Sequence, residues 1–434
     1  MSVGLIGILG VVVLLAAIIV RVPIGLALAA VGFLGYAAAD GWGRALKMLG
    51  SVPFDLASAY SLSVIPLFVL MGAVASRATM SRDLFDAANA LFSGARGALA
   101  NATIGACAAF GAICGSSIAT AATFSKVSIP EMRRHGYDPG FAAGAVAAAG
   151  TLGIIIPPSV ILAIYAIVAE QSLPKLFAAA MVPGLILAAL YVITVFVVSR
   201  LRPDLTPLVP SMPLGQRLRA ALGMWKLLLL FVLAVVGIYL GWFSPTEAAA
   251  VSSFVAILIA FATRTLNLSG LVEALMETVY TTAMLFFIVI GAFIFARFVV
   301  LTQFPTVLVS WVEEWGFSPL LIILFVMLLY FLLGTFLEEV STILITVPVV
   351  LPLVTSIGYD GIWFGIFVTV MATIGLISPP TGMTVFVIQA QNPDIPVAAI
   401  YRGTLPFLVA DLALVALLIA APGIITWLPN MLKM

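Results

Sequence analysis

The residues best suited to chemistry in this chain sit in two copies of one helix-breaking pattern. Gly153-Ile154-Ile155-Ile156-Pro157-Pro158-Ser159 recurs 222 positions later as Gly375-Leu376-Ile377-Ser378-Pro379-Pro380-Thr381. Proline withholds an amide donor, clashes with the turn before it and drives the preceding residue out of the helical region. Consecutive prolines therefore force a short unwound stretch. The carbonyl oxygens freed there are hard, neutral ligands of the kind a desolvated sodium ion needs, while half-helix N-termini and Ser/Thr hydroxyls suit an anionic substrate.

A second pair of segments stands ready to face those breaks. From Gly97 to Ser125 no residue is charged, yet the run is interrupted by Gly111, Gly115, Ser116 and Ser117. Its counterpart is Gly334-Thr335-Phe336-Leu337-Glu338-Glu339-Val340-Ser341-Thr342, with Thr120 and Thr342 in the same register. A polar centre in so apolar a run suits a re-entrant hairpin, whose irregular backbone is tolerated only where protein or water covers it; a plain kinked helix is the alternative. Two breaks, each opposed by a hairpin tip, predict two cation sites related by pseudosymmetry.

Charged side chains at membrane depth cost roughly 2.5–3.5 kcal/mol on insertion scales and are functional by default. Glu338 and Glu339 could coordinate a cation, carry a proton or pair with Arg297, which lies in the apolar run Phe286 to Leu301. Arg297 has two readings, a snorkelling or structural pair and a partner for a substrate carboxylate. Asp411, in the last apolar helix, is expected to face protein rather than lipid.

The elements that must position these groups are membrane helices. Of 434 residues 63% are hydrophobic and 9% charged, where a soluble domain carries about 25% charged residues. Apolar runs near 3–20, 23–39, 57–76, 98–124, 140–153, 159–170, 176–199, 225–242, 246–262, 280–301, 318–334, 341–356, 361–376, 382–391 and 404–427 are candidate helices, several too short to span alone. The N-terminal run follows no basic residue and offers no small-residue cleavage site, so it reads as a retained helix. Cys107 and Cys114 read as small buried residues on one helix face. Trp42, Trp242, Trp363 and Trp427 are expected as interface anchors.

Charge sets the topology. Arg200, Arg202, Arg217, Arg219 and Lys226 flank a Pro-rich linker, which the positive-inside rule makes cytoplasmic. The loop Gly136-Tyr137-Asp138 carries Lys126, Arg133 and Arg134 nearby, whereas its copy, Gly358-Tyr359-Asp360, has no base from Val354 to Ile362. The copies thus face opposite sides, the mark of an inverted-topology repeat with its sites near the midplane. The expected layout is a first repeat over 1–200, a cytoplasmic linker over 201–221 and a second repeat over 222–434. Both termini are expected outside, in keeping with an N-terminus free of early bases and Lys433 as the one late base. No GxxxxGK[ST] loop, HExxH or nucleophile elbow is present, which disfavours ATP-driven transport and enzyme chemistry.

Together, Ile65-Pro66-Leu67-Phe68-Val69-Leu70-Met71-Gly72, the Gly115 to Thr120 tip, Gly136-Tyr137-Asp138, Gly153 to Ser159, Pro183-Gly184, the Gly334 to Glu338 run and Gly375 to Gly382 resemble the large membrane (M) subunit of tripartite ATP-independent periplasmic (TRAP) transporters. The resemblance covers essentially the whole chain. It implies an all-α integral membrane protein of the ion-transporter superfamily, with inverted repeats, re-entrant hairpins and Pro-broken helices working as an elevator. It also implies sodium-coupled import of an organic acid across the bacterial inner membrane, with periplasmic termini. The implied partners are a small four-helix membrane (Q) subunit and a periplasmic substrate-binding (P) protein, with no nucleic acid and no cofactor beyond sodium as coupling ion.

Carried over by position, the resemblance puts Gly115, Ser116, Gly153 and Pro157 around one sodium, and Gly334, Glu338, Gly375 and Pro379 around its mate. Ser117, Ser341 and Thr342, with Ser159 and Thr381 after each Pro-Pro pair, would face substrate. Where many members have Asp then Pro, this chain has Glu338-Glu339. The mobile body is expected over roughly 97–185 and 281–400. Two further readings stay open: a standalone sodium/dicarboxylate symporter or antiporter of the same superfamily, and a non-transporting membrane scaffold subunit.

Overall fold

The computed structural model describes residues 3–432, and Lys433 lies outside them. The first helices are α1 (Val3–Ile19), α2 (Ile24–Asp40), α3 (Trp42–Ser58), α4 (Val64–Arg77) and α5 (Met80–Phe92). The broken helices follow: α6 (Ala98–Cys114), α7 (Ser117–Arg134), α8 (Pro139–Ile155) and α9 (Val160–Val168). Next come α10 (Leu173–Leu201), α11 (Leu214–Gly223), α12 (Trp225–Phe231), α13 (Gly237–Tyr239), α14 (Pro245–Ala262), α15 (Leu268–Leu301) and α16 (Phe304–Glu314). The chain closes with α17 (Pro319–Phe336), α18 (Glu339–Ser356), α19 (Gly361–Ile377), α20 (Met383–Gln391), α21 (Val397–Ala420) and α22 (Gly423–Met431). Among the described residues eight helices are long and apolar enough to cross a membrane, and α8 with α9 makes a ninth span bent by 44°.

The 222-residue offset of the sequence reappears in the helices themselves. Shifted by that amount, the bounds of α7 and α8 coincide with those of α18 and α19. Both Pro157-Pro158 and Pro379-Pro380 are cis, and Gly136 and Gly358 share a left-handed backbone, φ +79 and +95. Asp138 caps α8 by accepting the Phe141 N–H at 2.8 Å, with Pro139 in the first turn, as its sequence signature predicts.

The region around 98–124 is a hairpin of α6 and α7, not a kinked helix. Phe110 and Phe124 pack edge to face with ring centroids 5.6 Å apart, whereas fourteen residues of straight helix would separate them by roughly 21 Å. Likewise the Thr346 hydroxyl of α18 donates to Tyr330 of α17 across the second hairpin.

Contacts fix which way each element runs. The linker end of the bundle holds the start of α6, where the Leu99 N–H donates to the Tyr137 hydroxyl at 3.3 Å. Burial pushes that phenol up to about 12, which keeps it neutral. The start of α8 is there too, its Asp138 N–H donating to the Leu205 carbonyl at 3.2 Å. So is the end of α20, because Asn392 donates to Ser125 at 2.9 Å and Asp394 pairs with Arg133 at 2.7 Å. At the opposite end the Tyr165 hydroxyl near the end of α9 donates to the Gly361 carbonyl, where α19 begins, at 2.5 Å. The unit α8–α9 thus runs away from the linker end while α19–α20 runs toward it.

Several sequence expectations are corrected. Trp363 is no interface anchor: it is buried, donates to the Leu418 carbonyl at 3.1 Å and stacks on Phe367. Trp42, Trp242 and Trp427 are exposed, as expected. The linker is irregular only between α10 and α11, so its expected end at 221 falls inside α11. The final apolar run divides into α21 and α22 at Pro422 rather than forming one helix over 404–427. The approximate mobile-body boundaries at 185 and 281 lie within the continuous helices α10 and α15.

Candidate functional site at the two hairpin tips

The first tip is built on backbone that glycine supplies. Gly115 ends α6 with φ +64, its N–H donating to the Gly111 carbonyl at 2.9 Å, a left-handed conformation most side chains resist. Ser116 then caps α7 by accepting the Ala119 N–H at 3.4 Å.

Small residues bring this tip onto the first break. A Cβ on Gly115 would stand 3.1 Å from the Pro158 carbonyl oxygen, and one on Gly153 would stand 3.0 Å from the Thr120 hydroxyl and 3.2 Å from the Ser116 carbonyl. A Cβ on Gly111 would collide with the Gly153 backbone. The Ser116 carbonyl and Thr120 hydroxyl therefore flank Gly153 at its crossing with Gly111, and the Pro158 carbonyl flanks Gly115 at the tip. The hydroxyls of Ser117 and Thr120 are buried with no protein partner. Buried hydroxyls are nearly always paired, so this neutral, oxygen-rich pocket fits a small cation.

The second tip repeats the plan with different chemistry. Gly334 and Gly375 cross so closely that a Cβ on Gly375 would stand 2.7 Å from the Gly334 Cα. Glu338 begins α18 from an extended backbone; it accepts the Ser341 hydroxyl at 3.0 Å on its carboxylate and the Thr342 hydroxyl at 3.0 Å on its carbonyl. Glu339 is buried with Oε2 unpartnered. At the opposing break the Ser378 and Thr384 hydroxyls cover the Ile374 and Leu376 carbonyls, each at 2.6 Å. Pro379 is exposed where Pro157 is buried. Here carboxylates take the place of part of the neutral oxygen set.

Both tips open on one cavity of about 410 Å³. Gly115 and Ser116 line one side, Glu338 and Glu339 another, with Ser76 of α4, Thr123 of α7, and Glu277 and Thr281 of α15 completing the polar wall. The lining runs along α7 from the tip toward the linker end and includes only the first residues of α18, so the cavity extends toward that end. Ser76 and Thr123 are hydrogen-bonded across it at 3.1 Å. Among the described lining residues three are acidic and none is basic. Arg77, next to Ser76, is held outside by Glu277 at 2.9 Å and by Glu273.

Of the expected cation ligands, Gly115, Ser116 and Glu338 line the cavity, Gly153 crosses Gly111 and Gly375 crosses Gly334, whereas Pro379 is exposed; the expected substrate contacts are not on the cavity wall. Ser159 is fully buried and caps α9 by accepting the Leu162 N–H at 3.3 Å. Ser117, Ser341, Thr342 and Thr381 belong to the tips and breaks themselves. Arg297 is exposed and pairs with Asp55 at 3.6 Å; twenty residues of α15 separate it from Glu277, roughly 30 Å of helix. Its structural-pair reading holds in this geometry. Sequence reasoning missed Ser76, Thr123, Glu277 and Thr281. The i,i+4 pair Glu273 and Glu277 at the head of an apolar helix was the signal available.

Asp411 faces protein, as expected: it is fully buried and accepts the Tyr191 hydroxyl at 2.7 Å.

Comparison with known proteins gives a consistent picture. Residues 11–424 match the family model described as the tripartite ATP-independent periplasmic transporter, DctM component. The chain is 39% identical over 386 residues to the C4-dicarboxylate TRAP transporter large permease protein DctM of Pseudomonas aeruginosa, covering 88% of this chain and 89% of that protein. It is 32% identical over 388 residues to the sialic acid TRAP transporter large permease protein SiaM of Vibrio cholerae, covering 89% of each. It is 30% identical over 411 residues to the isethionate TRAP transporter permease protein DctMQ of Oleidesulfovibrio alaskensis, covering 94% of this chain and 63% of that protein. The crystal structure of the Alcanivorax borkumensis YdaH transporter superposes with a TM-score of 0.62 at 14% identity over 88% of this chain and 89% of that one, a likeness of fold alone.

Proposed function

The chain belongs to the family of the TRAP transporter DctM component, and from that premise we propose that it imports an organic acid by a sodium-coupled elevator movement. The observation that carries this reading is the convergence of both hairpin tips on one cavity. Each tip lies against a segment whose unwound backbone offers oxygen ligands, so ion and substrate would bind side by side near the midplane. Sodium at the tips offsets the negative charge of Glu338 and Glu339, and a carboxylate then enters a wall of hydroxyls from Ser76, Ser116, Thr123 and Thr281. A C4-dicarboxylate is the first substrate class to test, because it is the one named for the 39% identical relative.

The moving body in this reading comprises α6 to α10 and α17 to α22, with α1 to α4 and α12 to α15 as the scaffold. The antiparallel courses of α8–α9 and α19–α20 support an inverted repeat. With the linker in the cytoplasm, a cavity extending to the linker end corresponds to the release state. A small membrane (Q) subunit and a periplasmic binding protein complete the system in the inner membrane.

The test is sodium-gradient uptake of labelled C4-dicarboxylate in proteoliposomes. Uptake is expected with the membrane subunit that co-purifies with this chain and the cognate binding protein, and absent without the binding protein. Equal uptake by this chain alone would overturn the tripartite reading in favour of a self-sufficient symporter.

A further inference from the structure

A second cavity lies away from the tips, on the back of the first hairpin. It encloses about 280 Å³ between α6, α10, α12 and Leu84 of α5, and its lining is entirely apolar. Small residues of α6, Gly105, Ala109 and Ala112, form one wall, and Met181 of α10 with Leu228 and Phe231 of α12 form the other. Its inner limit includes Ile156, the residue before the Pro157-Pro158 break. Leu228 is 54% exposed, so the crevice opens sideways, on the surface that a bilayer surrounds.

The helix just before α12 adds the second observation. Along α11, Leu214, Leu218 and Leu222 recur every fourth residue, which places them on one face, and all three are strongly exposed. The helix carries no acid and two bases. Among the described residues Arg217 donates only to the neutral carbonyls of Met212 and Ser93, each at 3.1 Å, and pairs with no carboxylate. Arg219 is exposed and has no carboxylate partner among the described residues. Lys226, about two turns further on, is already neutralised by Asp83 at 2.7 Å, which leaves the two arginines as the cationic end of the site.

α11 runs on into α12 as part of one helix over Leu214–Tyr239, long and apolar enough to cross a membrane, with both of its arginines in the first two turns and the leucines beside them exposed. Its direct continuation into α12 puts the basic end at the headgroup level of the linker-side leaflet and the crevice at acyl-chain depth. We propose that α11 and this crevice hold one anionic phospholipid, its phosphate at Arg217 and Arg219 and one acyl chain between α6 and α12. A phospholipid fits both ends at once, an apolar cleft open to the bilayer and, above it, a pair of guanidiniums with no carboxylate partner among the described residues. The chain would occupy the seam between the hairpin and α12, behind the first cation-binding break.

Native mass spectrometry of the full chain, purified with its co-purifying membrane subunit, tests this directly. Titration with phosphatidylglycerol and phosphatidylcholine should show one retained lipid, with phosphatidylglycerol favoured at least five-fold. Arg219→Glu should abolish the preference, and Leu228→Trp, at the open rim where the fold is least engaged, should reduce retention of both lipids at least five-fold. Equal retention of the two lipids, or retention unaffected by Leu228→Trp in a variant of unchanged melting temperature, would overturn the proposal. So would a photo-crosslinker at position 228 that captures the small subunit instead of lipid.

Discussion

At the scale of single residues, the two tips differ in kind at two adjacent positions, neutral Ser116 and Ser117 against acidic Glu338 and Glu339. A charge-assisted contact is worth roughly 1.5–3 kcal/mol, so Glu338→Gln should raise the sodium concentration giving half-maximal uptake about ten-fold or more while leaving folded yield unchanged. Sodium titration of uptake checks this, and an unaltered half-saturation point would remove Glu338 from the cation site. Asp411 serves a different purpose. It accepts the Tyr191 hydroxyl, which also lies 3.4 Å from the Thr151 hydroxyl, tying α21 to α10 and α8. Asp411→Asn keeps an acceptor and should melt close to the parent, whereas Asp411→Ala leaves the buried Tyr191 hydroxyl only its long contact to Thr151 and should cost about 1–3 kcal/mol. Thermal unfolding in detergent separates the two, and equal melting of both variants would show that the Tyr191 contact contributes nothing.

At the scale of elements, the polar contact between α4 and α7 offers a test of whether the hairpin travels. Ser76 and Thr123 are 3.1 Å apart in the present state. If α7 slides past α4 during transport, Ser76→Cys with Thr123→Cys should cross-link under oxidation and stop uptake, and a reductant should restore it. Cross-linking that leaves uptake intact would mean that α4 and α7 move together. The native thiols Cys107 and Cys114 are both buried and unpaired. The glycine crossings, Gly111 on Gly153 and Gly334 on Gly375, are what bring each hairpin close enough to face its break. They act through the absence of a side chain, which is why pattern alone marks them as breaks and not as contacts.

At the scale of the whole molecule, α1 begins against the end of α15, with Gly7 beside Thr302 and Phe304, and α22 lies beside Tyr359 and Trp363. Both are remote from the linker. Alkaline phosphatase and fluorescent-protein fusions at the two ends should therefore report periplasmic termini, and a fusion within 202–213 should report a cytoplasmic one. A terminus on the same face as the linker would contradict the layout. The sequence alone determined the membrane class, the 222-residue repeat and the positions of the breaks, because apolar length, glycine and proline act locally and leave their mark in composition and spacing. It also located the Gly115–Ser116 and Glu338–Glu339 tips. Only the tertiary structure decided that these tips share a cavity with Ser76, Thr123, Glu277 and Thr281. It likewise moved Arg297 to a distant pair with Asp55 and buried Trp363 in the bundle. Those outcomes depend on which helix lies beside which, and an apolar helix carries little information about its neighbour, since lipid and protein accept the same side chains.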